Sequence, residues 1–320
     1  MPDPVLTPIT QAMEEGALTR QELKSLMQRS DRPALVHLGI FIAVLGCTGG
    51  LIFLASGTGW LLPAMILHGV VLVHLFALQH ECVHYTAFRT RRLNDIFGNL
   101  CGFAIFLPHQ FFRYEHCDHH TYTQIHGRDP ELIVLPISLK RYLWYVSSIP
   151  FWSQKFKEVG LHACGRVSLV EEAFVPRDVR KTIVLEARMM LALYSSLAIL
   201  CILTGWQGPI WYWWLPLLLG EPLMRMIRMS EHVGRPNNRD MTVNTRTNIV
   251  SLPWRFLAWN MNYHAEHHYA SSVPFHALPR LHRKLTGFIH VEQRGYLGAH
   301  IDILTQIFRP RLRLGTVPDK

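Results

Sequence analysis

Residues 33–80 read PALVHLGIFIAVLGCTGGLIFLASGTGWLLPAMILHGVVLVHLFALQH, 48 consecutive positions without an Asp, Glu, Lys or Arg. A helix needs about 20 apolar residues to cross the hydrocarbon core of a bilayer, so this run is long enough for two crossings and a tight turn. Ser56-Gly57-Thr58-Gly59 supplies the turn, which places spans near 34–55 and 60–78. A second run, 189–220, lacks charge over 32 positions and offers a shorter pair near 189–203 and 210–224, turning at 204–209. The competing reading is a set of buried helices in a soluble core. Charge-free lengths of this size are rare in soluble chains, and only 17% of the residues are charged against 49% hydrophobic.

The flanks set an orientation. Arg20, Lys24, Arg29 and Arg32 precede the first hairpin, Arg89, Arg91 and Arg92 follow it, Arg188 precedes the second, and Arg225 and Arg228 follow that one. Neither turn carries a charge. Basic flanks stay inside, so both termini and the long polar segments are expected in the cytoplasm, with the protein in the plasma membrane, the inner one in a bacterium. The net charge of +9 then reflects juxtamembrane Lys and Arg facing anionic lipid, and no basic-aromatic array points to nucleic acid. The first 30 residues are polar and contain acids, unlike a cleavable signal peptide. Thr19-Arg20-Gln21-Glu22 fits a capping box opening a surface helix. Cys47, Cys82, Cys101, Cys117, Cys164 and Cys201 form no CxxC pair, which suits a reducing compartment and neither a disulfide framework nor a zinc ribbon. The run 96–112 is too short and too rich in Gly and Pro for a span and is expected to dip into the membrane or lie on its surface.

Directly after the first hairpin stand His80-Glu81-Cys82-Val83-His84, which spell the HExxH of zinc proteases. With 19 histidines in the chain, three fixed letters decide little. Further on come His116-Cys117-Asp118-His119-His120 and His264-Ala265-Glu266-His267-His268, two copies of HxxHH. Positions i, i+3 and i+4 share a helix face, so each box directs three imidazoles to one place. One HxxHH arises by chance roughly 0.07 times at this histidine content, so a pair is not a product of composition. Eight boxed histidines exceed the about four ligands of one zinc ion and suit two metals. Imidazole binds Zn, Cu, Fe and Ni alike, which leaves the ion open.

The succession HxxxH, HxxHH, HxxHH around two hydrophobic hairpins resembles the membrane fatty acid desaturase family of non-haem di-iron oxygenases. HECVH (80–84), HCDHHTYTQ (116–124) followed by GRDPEL (127–132), and NMNYHAEHHYASSVPFHALPRLH (260–282) carry the resemblance, which spans about 35–282. It implies that His80, His84, His116, His119, His120, His264, His267 and His268 ligate two irons, and that His232, in RMSEHVG (228–234), is the ninth ligand. Some relatives have an Asn holding a metal-bound water where this chain has Arg228, a departure that leaves Arg228 to pair with an acid or a substrate head group, or to act as a plain juxtamembrane arginine. Asp129, Glu131, Asn260, Asn262 and Glu266 are candidates to fix imidazole tautomers or cap turns. Glu81 is incidental on this reading. His37, His68 and His74 fall inside expected spans, where a neutral imidazole paired to a backbone carbonyl is the ordinary arrangement. His109, His126, His162, His276, His282, His290 and His300 read as surface or supporting groups.

The architecture expected is a single all-α integral membrane domain, two transmembrane helical hairpins (about four spans) capped by a cytoplasmic helical di-iron domain. Its parts are an N-terminal cytoplasmic segment (1–33), a first hairpin (34–79), a cytoplasmic segment with the first two boxes (80–187), a second hairpin (188–224) and a cytoplasmic segment with the third box (225–320). The activity implied is O2-dependent desaturation of a fatty acid or acyl lipid, reached from the bilayer through a tunnel that Trp60, Trp211, Trp213 and Trp214 line, unless these form an interfacial belt. The sequence shows no dinucleotide fingerprint, no cysteine set for an iron–sulfur cluster and no HPGG of a fused cytochrome b5. An external ferredoxin, rubredoxin or cytochrome b5 type donor with its reductase is therefore implied. A hydroxylase or monooxygenase of lipid, hydrocarbon, carotenoid or a smaller molecule would share the same boxes. A zinc protease would leave six boxed histidines without purpose, and a metal transporter would need ligands spread across the spans.

Overall fold

The charge-free runs become long helices in the computed structural model, which describes residues 8–309. The chain ends at 1–7 and 310–320, expected on the cytoplasmic side, lie outside the described residues. Asp31–Ala55, Leu61–Val83 and Arg180–Thr204 are each long and apolar enough to cross a membrane. Phe53, Leu54, Ile202 and Leu203 are exposed on them, apolar surface of the kind that lipid covers. Between the first two helices Gly57 adopts φ +75°, and the third stops at Gly205, left-handed at φ +70°.

Three boundaries differ from the sequence expectation. The helix Leu61–Val83, interrupted only at His74, runs past residue 79 and carries His80 and Glu81 on its last turns. The helix Arg180–Thr204 begins nine residues before the charge-free run, because Arg180, Lys181, Glu186 and Arg188 are good helix formers that hydropathy alone leaves out. The expected fourth span takes another form: a π-helical turn Ile210–Trp214 leads into Leu215–His232, which carries Glu221, Arg225, Arg228 and Glu231.

That charged helix packs on Leu61–Val73 through two glycines. A Cβ on Gly69 would collide with the Pro216 carbonyl, and one on Gly220 with the Gly69 carbonyl, so the backbones themselves are in contact. Within the spans His37, His68 and His74 each donate to a backbone carbonyl, of Phe256, Tyr212 and Val70, at 2.9, 3.0 and 2.6 Å. The run 96–112 folds as the end of helix Arg91–Ala104, a turn with Phe106 at φ +57°, and the start of helix His109–Tyr122.

The fold is mostly helical with one addition that helical periodicity does not reveal. Arg246–Asn248 and His290–Glu292 pair as a two-stranded parallel ladder, and the crossover between them holds the third histidine box. Near the N-terminus Thr19 and Glu22 form the expected reciprocal cap. Leu18 and Leu26 join Leu278, Leu281 and Leu285 in one apolar cluster beneath that box.

Candidate metal centre

Four helix ends deliver the histidines. His80 and His84 stand at the end of the second span, His116, His119 and His120 on His109–Tyr122, His232 at the last residue of Leu215–His232, and the third box on the short helix His264–Tyr269. The helix His109–Tyr122 starts after Pro108 with no cap of its own. Glu186, from the third span, accepts from the backbone N–H of Gln110 at 3.0 Å, which supplies the anion that a helix N-terminus favours. Glu81 accepts from Thr86 Oγ1 at 2.9 Å and from the Phe275 N–H at 3.1 Å, tying the first box to the loop after the third.

The imidazoles sort into two groups. His80, His84, His116, His120 and His267 form one and His119, His232, His264 and His268 the other, with the candidate ligand atoms of each group within 4.8 Å of one another. Consecutive letters of a box therefore diverge: His119 and His120 serve different groups, as do His267 and His268. The rings of His120 and His268 stack at 4.1 Å and hold the groups side by side.

Carboxylates and hydroxyls behind the rings set their tautomers. Glu131 accepts from His116 Nδ1 and Asp129 from His119 Nδ1, both at 2.7 Å, and a carboxylate can only accept, so each ring turns the lone pair of its Nε2 inward. Thr123 Oγ1 lies 3.1 Å from His268 Nδ1, and Thr245 Oγ1 3.3 Å from His232 Nδ1. Inside, Nε2 faces Nε2 at 3.0 Å for His116 and His120 and for His232 and His264, and at 3.1 Å for His120 and His267 and for His264 and His268. Both ring nitrogens of His80 and Nε2 of His84 and His119 are buried without a hydrogen-bond partner. Converging lone pairs with orphaned nitrogens are what two cations would satisfy, so the donor set fits a pair of metal ions.

Burial above all, then the neighbouring imidazoles, holds His116, His120, His264 and His268 well below the usual histidine value. Burial likewise lowers His232 and His267, and takes His84 to about 3. The neutral ring is the form that binds metal. His119 goes the other way: burial opposes its charge, but Asp129 and Glu131 outweigh it and raise the value.

Arg228 is a buried ion-pair centre. It donates to Glu231 at 2.7 Å and to the second oxygen of Glu131, the same carboxylate that orients His116. Burial pushes Glu231 up to about 7 against the pull of Arg228. Among the described residues, Asn260, Asn262 and Glu266 make their side-chain hydrogen bonds to partners other than the boxed imidazoles. They bond the Phe275 carbonyl, the Asn248 carbonyl, and Thr247 with His282, as props of the third-box loop. His126 is exposed, and His109, His162, His282, His290 and His300 find partners in Arg113, Glu171, Glu266, Arg235 and Tyr142. Thr123, Thr245 and Glu186 carry no sequence signal of their roles, because nothing in a lone Thr or a mid-helix Glu marks which distant group it meets.

One cavity adjoins the centre, and a second is lined by no boxed histidine. The first, of about 390 Å3, is lined by Phe76, Phe112, Glu131 and Arg228 among others. The Phe76 ring lies 5.9 Å from His80 and that of Phe112 5.2 Å from His116. The other, of about 320 Å3, is an apolar groove walled by Phe106, Trp152, Phe156, Tyr194 and Trp214. Trp213 donates instead to the Ala104 carbonyl at 2.6 Å, Trp60 lines an open apolar recess of the first hairpin, and Trp211 lines one between residues of the first hairpin and 211–219.

A family model described as fatty acid desaturase matches residues 58–297. The chain is 21% identical to a chloroplastic omega-6 fatty acid desaturase of Glycine max over 77% of this chain and 61% of that protein. It is 25% identical to the sn-1 oleoyl-lipid 12-desaturase of Anabaena variabilis over 41% of each. With the sn-1 acyl-lipid omega-3 desaturase (ferredoxin) of Synechocystis it shares 27% identity over 43% of this chain and 40% of that one. The matched part thus spans between about two fifths and three fifths of these relatives.

Proposed function

Because this chain belongs to the fatty acid desaturase family, we propose that its nine converging histidines hold two iron ions and that it uses O2 to introduce a double bond into a fatty acid or acyl lipid. The observation that carries this is the sorting of nine imidazoles, with inward lone pairs, into two adjacent groups. Iron bound there would supply the redox chemistry that an unactivated C–H bond requires and that zinc lacks. His80, His84, His116, His120 and His267 would hold one ion, and His119, His232, His264 and His268 the other. Glu131 and Asp129 keep His116 and His119 in the ligating tautomer, and Phe76 and Phe112 screen the first group from water.

The topology follows the flanking arginines. The two hairpins, the second completed by 210–224, cross the membrane, and the histidine groups sit at the cytoplasmic face. The apolar groove beside Tyr194 and Trp214 admits the substrate chain from the bilayer. Electrons come from an external donor, for which the ferredoxin in the name of the Synechocystis relative is the leading type. The exposed Arg89, Arg91 and Arg92 suit an acidic protein of that kind.

The test is metal content. Protein purified without oxygen from iron-replete cells should hold about two irons per chain. His120→Ala and His267→Ala should lose iron and turnover while still inserting into the membrane, and His126→Ala should keep both. One tightly held zinc with peptidase activity would defeat the proposal.

A further inference from the structure

We propose that the helix Leu139–Val146 lies on an anionic lipid surface, with Leu139, Leu143 and Trp144 seated among the head groups and Lys140 and Arg141 paired with their phosphates. This rests on the membrane arrangement proposed above and on no step of the reaction. The helix belongs to a stretch, 132–157, that holds Lys140, Arg141, Lys155 and Lys157 and not one Asp or Glu over 26 positions. Ser138 caps it by accepting from the Arg141 N–H at 3.3 Å.

The two faces of the helix differ in kind. On the inward one Tyr142 donates to His300 Nδ1 at 3.0 Å, because His300 Nε2 already donates to the Met226 carbonyl, also at 3.0 Å. Tyr145, one turn on, lines the 390 Å3 cavity. The outward face presents Leu139, Lys140, Arg141, Leu143 and Trp144, all exposed, Leu143 at 55% and Trp144 at 47%. Three large apolar side chains open on two turns of helix form a patch, not scattered surface residues. Among the described residues no carboxylate pairs with Lys140 or Arg141. Basic groups interleaved with Leu and Trp fit a bilayer interface, where the apolar bodies sink and the charges stay with the phosphates. The next helix, Ile149–Ala163, packs along the third span and exposes Ile149 and Phe156, so the patch continues toward surface that lipid already covers. An acidic electron donor would meet the two charges but would have to cover and uncover the three apolar side chains at every turnover. Val134, exposed, lines the cavity together with Tyr145, so the cavity borders this lipid surface.

A bimane label at Leu143→Cys tests this in the full chain, with the exposed cysteines removed as Cys47→Ser, Cys117→Ser and Cys164→Ser and the iron content measured as a check on folding. In vesicles of phosphatidylcholine with about a third phosphatidylglycerol, brominated lipid should quench the label and aqueous iodide should not. Lys140→Glu together with Arg141→Glu should cut the ratio of lipid-docked to iodide-exposed label about tenfold, and vesicles of phosphatidylcholine alone should do the same. Should Leu143→Cys fail to hold iron, Trp144→Cys on the same face carries the label instead. A label open to iodide in the anionic vesicles would overturn the inference, as would docking indifferent to both charge reversal and lipid charge. Protection from iodide only after reduced ferredoxin is added would overturn it too and assign the patch to the donor. Alkene formation by a protein whose label is open to iodide would end this inference and leave the desaturase function standing. Lipid contact in a protein that yields no oxidised product would do the reverse.

Discussion

At the scale of single residues the centre depends on protons. A histidine whose folded value lies below its unfolded one, near 6.5, stays unprotonated in the fold while the unfolded chain takes up a proton. Its contribution to stability is present above about 6.5 and is lost as pH falls toward the folded value. His84, His116, His120, His232, His264, His267 and His268 all act in this sense. His119 and Glu231, both raised, and Glu115, pushed by burial up to about 8, act in the opposite sense. Outside the spans His109, His276, His290 and His300 are lowered too and Asp118 is raised, so the lowered imidazoles outnumber the raised groups and give the sign. Metal-free protein should lose thermal stability steadily from pH 7 to pH 5, and iron should oppose the loss because protons and metal compete for the same nitrogens. A melting temperature that rises over that interval would contradict the neutral-imidazole picture. Asp129→Asn should weaken metal binding about 10- to 100-fold, read by titration with iron or cobalt, since the carboxylate that orients His119 is gone while the ring remains. The boxed histidines were legible because three imidazoles at i, i+3 and i+4 are rare by chance. Their division between two groups was not, since it depends on which way each ring turns, and that is set by Glu131, Asp129, Thr123 and Thr245 from distant segments.

At the scale of elements, the absence of charge made the first hairpin readable almost to the residue, with helices at Asp31–Ala55 and from Leu61 against expected spans at 34–55 and 60–78. The same signal missed the first nine residues of Arg180–Thr204 and the true length of Leu215–His232, because helices extend past the apolar stretch into charged segments. The parallel ladder at 246–248 and 290–292 is three residues a strand and joins segments over 40 positions apart, too short and too distant for any periodicity to mark. Packing gives a test of the crossing that sequence did not reveal. Gly220→Ala should destabilise the protein by about 1–3 kcal/mol in detergent, as the helices are forced apart by a side chain with no room, and a double change with Gly69→Ala should not relieve it. The membrane arrangement is checked separately. Cysteines placed in the 56–59 and 204–208 turns should react with impermeant reagents from outside the cell, while cysteines in 113–187 should not. Labelling of the box-bearing segment from outside would invert the proposed topology.

At the scale of the whole molecule, the spans and the histidine groups meet in one catalytic proposal, and what separates its two outcomes is positional. Desaturation and hydroxylation share the removal of a first hydrogen from an unactivated carbon. A second removal from the neighbouring carbon leaves an alkene, whereas delivery of oxygen to the first leaves an alcohol. The choice turns on how the substrate chain is held against the two metal groups, a matter of fractions of an ångström that no histidine box records. Here the walls nearest those groups are the rigid rings of Phe76 and Phe112, clamped at 5.5 Å from each other. Beyond them the cavity is bounded by Arg228 and Glu131, which form a buried ion pair. Such walls hold adjacent carbons in a fixed order rather than letting the chain slide. Turnover under 18O2 with a reconstituted ferredoxin and its reductase should therefore give an olefinic product free of label, with the isotope in water. Replacing Phe112 by Ala should loosen the hold and raise the share of alcohol. Label retained as a hydroxyl on the main product of the unmodified protein would move it to the hydroxylase branch of the same superfamily, with the metal groups and the spans unchanged.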